Sequence, residues 1–167
     1  MKYITLFWEI LIFIPVLVLL FFVNPDKVWD YHILWYLVDF VYHYFSFFSK
    51  QQIFIWFLFV IAFFIQEIIW WAIKFFFFKD RPNPMKWTNW FEKVMAWSFP
   101  SLHSARTFLL FLFALFYTNV YVALWFFFFW ALIAYSRIHL KKHFYVDLIG
   151  GIVLAIFTFF ITIYVFW

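Results

Sequence analysis

Residues 53–82 read IFIWFLFVIAFFIQEIIWWAIKFFFFKDRP and decide the fold class. Gln66 and Glu67 are the only polar interruption before the basic end of this stretch. A helix needs about 20 apolar residues to cross the hydrocarbon core of a bilayer. The sequence therefore predicts one long transmembrane helix, which Pro82 stops. Its expected C-terminal end carries three cations, which are Lys74, Lys79 and Arg81.

The same apolar character extends over the whole chain. Its 167 residues are 69% hydrophobic, 32% aromatic and only 12% charged, and the mean hydropathy is +0.97. This composition excludes a large soluble domain. We predict an all-α, polytopic membrane helix bundle, a single domain over residues 1–167, with five to six helices that span the bilayer or lie on it. Further spans are predicted at residues 3–23, 102–117, 120–135 and about 144–167.

Residues 28–49 allow two interpretations, because they are aromatic but carry several polar side chains. Asp39, His43, Ser46 and Lys50 recur at steps of four, three and four, which places them on one face of a helix. Such a striped helix suits the membrane interface, and we favour that placement. The alternative is a sixth span, in which Asp39 would need a partner inside the membrane.

Small and reactive residues are scarce. The absence of cysteine excludes disulfides, thiolate metal sites and cysteine nucleophiles. The only two glycines, Gly150 and Gly151, argue against a Gly-rich nucleotide loop and are expected to allow close helix packing.

Among the charged residues, nine of the twelve Lys and Arg fall within residues 74–106 and 137–142. We also expect Glu67 to be a hydrogen-bonding partner inside the membrane, with Arg106 either its structural partner or a group that supports the residues around His103.

Basic residues collect at helix ends that meet at one membrane face. Lys74 and Arg81 are seven residues apart, so two turns of a continuous helix would place them on one side. The Arg guanidinium grips two phosphate oxygens with its planar fork, and Lys adds a point charge. Arg137 ends a later span and can bind the same phosphate from the opposite side. Taken singly, Lys79 and the other lysines at this face are expected to be interfacial anchors.

A helix N-terminus and two histidines complete the same face. Ser101 and the backbone N–H groups of Leu102 and His103 precede a span, and a helix N-terminus is a natural anion site. His143 and Asp147 are four residues apart, so the carboxylate can orient one ring nitrogen and strengthen the other as a nucleophile. His103 arrives from another helix and can act as a general acid. These groups together indicate a phosphoester substrate.

One alternative for the histidines is a metal site. His139, His143 and Asp147 could form a His-His-Asp face. We disfavour it, because the cations expected nearby would repel a metal ion.

Three groups of residues resemble the three signature motifs of the type 2 phosphatidic acid phosphatase superfamily. The spacing agrees in the first and third motifs, and the second departs at Leu102, where the family usually has glycine. We expect Leu102 to have an ordinary helical conformation and to offer its N–H, with its side chain turned toward lipid or the loop aromatics. The residues that carry the resemblance are Lys74, Arg81 and Pro82, then Pro100, Ser101 and His103, and finally Ser136, Arg137, His143 and Asp147.

The resemblance implies metal-independent hydrolysis of a phosphomonoester or a pyrophosphate through a phosphohistidine, with no cofactor. By position, His143 is the nucleophile, His103 the acid and Asp147 the orienting carboxylate. The implied phosphate-binding residues are Lys74, Arg81, Ser101, Leu102 and Arg137.

The expected partners are a phosphorylated lipid substrate and membrane lipids, with no nucleic acid, and the oligomeric state stays open. A non-catalytic binder or transporter of phosphorylated lipid is the alternative function, but binding alone needs no acid and no oriented nucleophile. Lys27 and Lys50, taken as the topology signal, place the active site outside the cytoplasm at the cell membrane.

Overall fold

A computed structural model describes residues 49–83 and 86–166 of the chain, which form helices and no strand. The helices are α1 (Lys50–Phe76), α2 (Trp90–Ala96), α3 (Leu102–Tyr117), α4 (Val120–His139) and α5 (Tyr145–Phe166). Helices α1, α4 and α5 are long and apolar enough to cross a membrane, and α3 is a shorter apolar helix. The predicted all-α membrane bundle is thereby confirmed. The predicted span at residues 3–23 and the segment 28–48 lie outside the described residues.

A capping box starts α1. The Ser49 hydroxyl accepts from the Gln52 N–H at 3.3 Å, and the Gln52 side chain accepts from the Ser49 N–H at 2.8 Å. These bonds satisfy two donors that a helix start leaves open. Lys50 is therefore the first residue of α1, and the prediction that it continues the helical stripe of Asp39 is wrong.

Helix α3 lies at the centre of the described bundle and packs against α1, α4 and α5. Its Phe113 is fully buried and makes edge-on ring contacts with Phe59 of α1 at 5.3 Å and with Phe159 of α5 at 5.1 Å. Aromatic pairs prefer this geometry. The outward faces of α4 and α5 expose large apolar side chains, as expected for surfaces that meet lipid.

Helix α1 is shorter than its sequence predicts. It ends at Phe76, and Phe77 is already extended, with φ −117° and ψ 95°. The chain beyond it is held by tertiary contacts, because the Ser98 N–H and hydroxyl both donate to the carbonyl of Lys79, at 2.7 and 3.1 Å. The prediction that Lys74 and Arg81 stack along one continuous helix is therefore wrong.

The short helix α2 lies in the polar and aromatic segment between α1 and α3. The Asn89 side chain caps it by accepting from the Glu92 N–H at 2.8 Å. Glu92 in turn accepts from the backbone N–H and the hydroxyl of Thr88, at 2.8 and 2.7 Å. These hydrogen bonds also lower the pKa of Glu92. A cap with Glu three positions later is a recognised helix start.

The expected pairing of Glu67 with Arg106 is confirmed. The Arg106 guanidinium donates to both carboxylate oxygens of Glu67, at 2.8 and 2.9 Å. It also lies 5.2 Å from the ring centre of Phe63. This ion pair joins α1 to α3 between the apolar faces of the two helices.

Candidate active site

Lys74 lies in the last turn of α1 and is almost completely buried, with 2% of its surface exposed. Its ammonium donates to the carbonyl oxygens of Val94, at 3.3 Å, and of Trp97. It also lies 4.7 Å from the ring centre of Trp70. An ammonium has three N–H donors, so these contacts fix its direction and leave one donor for a further acceptor.

Arg81 reaches the same place from the extended segment beyond α1. Its Nη2 donates to the carbonyl of Met95 at 2.9 Å, so the first motif is anchored on the C-terminal end of α2. Burial lowers the pKa of Arg81, and the carboxylate of Asp147 opposes this effect. Arg81 thus stays close to the buried acid although the helix that was predicted to carry it ends earlier.

The second motif forms the start of α3. Ser101 is the N-cap, and its hydroxyl accepts from the Ser104 N–H at 3.5 Å. Its own N–H donates to the carbonyl of Asp147 at 2.9 Å, which ties this helix end to α5. The Trp70 indole donates to the Pro100 carbonyl at 2.9 Å and ties it to α1 as well.

Leu102 is the first residue of α3 and has no positive φ, since Lys141 is the only non-glycine residue with one in the described part of the chain. The expected helical conformation is confirmed. The side chain packs against the cluster of Trp70, Ala105 and Leu154 rather than only toward lipid or the loop aromatics. Leucine at this position therefore fills space between helices and keeps its N–H at the helix start.

The two glycines of α5 allow α3 to approach closely. A Cβ atom on Gly151 would lie 2.6 Å from the carbonyl oxygen of Ser101 and 3.0 Å from the Ala105 nitrogen. A Cβ atom on Gly150 would lie 2.4 Å from an atom of the Phe99 ring. The expected close packing is confirmed, and at Gly151 it involves the backbone of the second motif itself.

The third motif bridges α4 and α5. Arg137 is buried in the last turn of α4, and its carbonyl accepts from the N–H groups of Lys142, at 3.0 Å, and His143, at 3.3 Å. These bonds form the turn in which Lys141 has a φ of 51°. The turn places His143 beneath the end of α4, with only 6% of its surface exposed.

His143 and Asp147 face each other across one helical turn. The His143 Nδ1 lies 3.7 Å from the Asp147 Oδ2, which is longer than a hydrogen bond but leaves only a small movement to form one. Asp147 is fully buried, and its Oδ2 accepts from the Phe144 N–H at 2.8 Å. Burial and the charge of Arg81 lower the pKa of His143 to about 4, although Asp147 acts in the opposite direction. His143 is therefore neutral at physiological pH.

His103 is the second residue of α3 and lies near the other histidine. The cations Arg137, Arg106 and Lys142 are close enough to act on its ring, and the His143 ring lies within the same range. The structure thus brings together the residues of all three motifs at the meeting point of α1, α3, α4 and α5. A bound phosphate dianion would favour the protonated form of His103.

The alternative metal face is not assembled. His139 instead lies alongside Tyr135, with ring centres 5.8 Å apart and planes inclined by 20°. In the described residues, no group of three or more histidines, aspartates or glutamates is arranged to hold a metal ion.

Sequence reasoning missed two residues in this region, and the first is Lys79, which is not merely an interfacial anchor. Its ammonium lies 2.6 Å from the Asp147 Oδ1 and forms an ion pair with it. Ser98 was also missed, although it holds the carbonyls of Lys79 and Asp80. Neither residue has a local signal, because its partners are 18 or more positions away in the chain.

The family comparison agrees with this geometry. A sequence model of the PAP2 superfamily matches residues 53–167, which include all three motifs. The chain belongs to the PAP2 superfamily. No curated protein and no solved structure matched it. PAP2 proteins are generally phosphatases, so membership supports a phosphoric ester hydrolase. The long apolar helices of this chain fit a membrane protein.

Proposed function

We propose that this PAP2 protein is an integral membrane phosphatase that hydrolyses a phosphorylated lipid through a phosphohistidine on His143. The observation that carries the proposal is the buried His143, which is neutral and faces the Asp147 carboxylate on its Nδ1 side. This leaves Nε2 as the nitrogen with a free lone pair once Nδ1 bears the proton. Arg81 and Arg137 add positive charge around the same ring.

The reaction has two steps. In the first, Nε2 of His143 attacks phosphorus, the P–O bond to the lipid breaks, and protonated His103 gives its proton to the leaving oxygen. In the second, His103 takes a proton from water while that water attacks phosphorus, which breaks the P–N bond and releases inorganic phosphate. Asp147 stabilises the imidazolium that forms on His143.

Binding of the phosphoryl oxygens falls to the three cations and the start of α3. Lys74 and Arg81 are held in place by carbonyls of the α2 region, so their donors need little reorganisation to receive phosphate. The N–H of Leu102 and the cap Ser101 offer the positive end of a helix. Arg137 binds the phosphoryl group from the end of α4. These groups stabilise charge without a metal ion.

A lipid substrate is favoured by where the site lies. The motifs occupy the ends of apolar helices, so a phosphate on a lipid can reach them while its hydrocarbon chain stays in the bilayer. Exposed Trp87 and Trp90 lie in the neighbouring loop and α2, and tryptophan favours the headgroup region. Substrates of this chemistry include phosphatidic acid, phosphatidylglycerol phosphate and undecaprenyl pyrophosphate. We place the protein in the cell membrane with this face outside the cytoplasm, on the topology signal of Lys27 and Lys50.

The test is phosphate release from a panel of these lipids by protein in detergent, with EDTA present. We expect turnover of at least one lipid in EDTA and none by His143→Ala. His139→Ala is the matched control, because it removes a histidine at the same face that lies alongside Tyr135 and has no role in the proposed reaction, and it should retain activity.

A second measurement tests the intermediate. Brief incubation with labelled substrate, followed by quenching without acid, should trap label on the wild type and on His139→Ala but not on His143→Ala. Equal label on His143→Ala would refute the assignment of the nucleophile. Lipid binding without any phosphate release would instead identify a non-catalytic binder. Loss of activity in EDTA with rescue by a divalent ion would contradict metal independence.

A further inference from the structure

Lys79 makes the shortest polar contact of Asp147. Its Nζ lies 2.6 Å from Oδ1, and the acid is fully buried while 36% of the lysine side chain is exposed. A buried carboxylate is costly unless it is paired and hydrogen-bonded. Lys79 therefore supplies a counter-charge to the buried Asp147 carboxylate.

The two oxygens of Asp147 have separate partners. Oδ1 accepts from Lys79, whereas Oδ2 accepts from the Phe144 N–H and faces the Nδ1 of His143. With both oxygens held, the carboxylate cannot rotate freely about its last bond. The oxygen presented to the histidine is thus selected by contacts on both sides of the group.

Lys79 is itself fixed in place. Its carbonyl accepts two hydrogen bonds from Ser98, and its ammonium lies 4.6 Å from the ring centre of Phe144. The backbone and the side chain of Lys79 are therefore both anchored beside the start of α5. Such preorganisation suits a group that must hold another side chain in one orientation.

We propose that Lys79 is a positioning residue that holds the Asp147 carboxylate toward His143 and offsets part of its negative charge. Its role in turnover rests on the proposed function, but its effect on the histidine can be measured without turnover. Lys79 lies between Lys74 and Arg81 of the first motif and belongs to none of the phosphate-binding positions implied by the family. It acts through Asp147 and not on the substrate.

The electrostatic consequence has a definite sign. Several charged or titratable groups surround the His143–Asp147 pair. They are Lys74 from α1, Lys79 and Arg81 from the segment after it, His103 from α3 and Arg137 from α4. Removal of the Lys79 charge leaves Asp147 less compensated, which favours protonated His143 and raises its pKa. Since only the neutral ring attacks phosphorus, the acidic limb of the pH–rate profile should move to higher pH.

The experiment compares Lys79→Met, which removes the charge, with Lys79→Arg, which retains it. Lys93→Met is the matched control. The Lys93 ammonium lies 4.9 Å from the ring centre of Trp87, whereas the ion pair with Asp147 is made by Lys79. We expect Lys79→Met to lower kcat by about 10- to 100-fold with KM nearly unchanged, as for other groups that orient a reacting side chain. Lys79→Arg should recover most of the rate, and Lys93→Met should behave as the wild type.

The readout without turnover is an NMR pH titration of isotope-labelled histidine in detergent, with His143→Asn used to assign the signal. The pKa of His143 should rise by roughly 0.5 to 1 in Lys79→Met and stay near the wild-type value in Lys79→Arg. The substrate's own titration is common to all variants and cancels in the comparison of rates.

The outcomes separate cleanly. An unchanged pKa of His143 in Lys79→Met would overturn the inference, whatever its folding or rate. A higher KM with unchanged kcat would also overturn it, because Lys79 would then bind phosphate directly. A raised pKa in a protein that releases phosphate from no substrate would support the inference and refute the proposed function instead.

Discussion

Within residues 49–83 and 86–166, two ion pairs link α1 or its extension to another helix, and their geometries differ. Glu67 and Arg106 form a bidentate ion pair with two hydrogen bonds. Their side chains are similarly exposed, at 19% and 17%. Lys79 and Asp147 form an ion pair with a single hydrogen bond, in which the acid is fully buried and the cation is partly exposed. The second carboxylate oxygen of Asp147 turns toward His143.

On the proposed function, this difference separates a structural ion pair from one that acts on the reaction. The bidentate guanidinium uses both oxygens of Glu67, so that carboxylate has little capacity left to influence a neighbour. Asp147 divides its oxygens between a cation, a backbone N–H and a histidine. Mutations should therefore affect stability at the first pair and rate at the second.

The largest expected effect is at Asp147. Asp147→Asn keeps the shape of the side chain but removes the charge that stabilises the imidazolium, so we expect kcat to fall by about 10² to 10⁴, by analogy with other oriented histidines. The pKa of His143 should fall further, because Asp147 raises it in the wild type. Steady-state kinetics and the histidine titration test this directly. A nearly wild-type rate would reduce Asp147 to a charge at the start of α5.

The next effect tests whether the helix start binds phosphate. Leu102→Pro and Leu102→Gly both lose the side chain, but only proline also loses the N–H. Proline is tolerated at the first position of a helix, and the extended Ser101, with φ −74° and ψ 106°, suits a following proline. A hydrogen bond to a charged group contributes about 1.5 to 3 kcal/mol, so we expect roughly a 10- to 100-fold loss of kcat/KM for proline relative to glycine.

Equal rates for the two variants would exclude the Leu102 N–H from phosphate binding. Leu102→Gly itself should stay within several-fold of the wild type, as measured by the same kinetics. If glycine raised activity by orders of magnitude, leucine would be an obstruction at this position.

Much of the fold was predictable, because the apolar runs and the caps are local signals. The predicted span 102–117 has the bounds observed for α3, and the prediction that helix ends converge on one face followed from alternating spans. The end of α1 was not predictable, because contacts of Ser98 with Lys79 and Asp80 interrupt a run that remains apolar in sequence. Helix α2 could have been predicted from Asn89 and Glu92.

The site divides in the same way. The spacing of Ser136, Arg137, His143 and Asp147 indicated a shared site, because these residues lie within one turn and its flanking helix ends. Lys79 has no such signal, since its partner lies 68 positions away and any lysine near a helix end suits an interface. The family match covers the residues of all three motifs, and the roles of the individual side chains are predictions that the variants test.

A smaller effect is expected where α3 and α5 approach each other. Gly151→Ala would bring a Cβ against the Ser101 carbonyl, a backbone atom that cannot swing aside, and should weaken the bond from the Ser101 N–H to Asp147. We expect a loss of stability of about 1 to 3 kcal/mol and of activity of about tenfold. Gly150→Ala is the control, because the atoms nearest to its added Cβ belong to the Phe99 ring, a side chain that can move. Thermal unfolding and initial rates of both variants measure the difference, and equal losses would contradict it.

The smallest effect on rate should come from the pair in the middle of the bundle. Glu67→Gln leaves an amide that accepts one of the two Arg106 bonds, and the remaining loss should destabilise the protein by about 1 to 3 kcal/mol. The Arg106 charge stays in place near His103, so kcat at 25 °C should remain within about threefold of the wild type, a barrier change below about 0.7 kcal/mol. Thermal unfolding in detergent and steady-state kinetics on the same preparation measure both quantities. A large loss of kcat with an unchanged unfolding midpoint would mean that this pair also acts on the site, and the distinction between a structural and a catalytic ion pair would no longer hold.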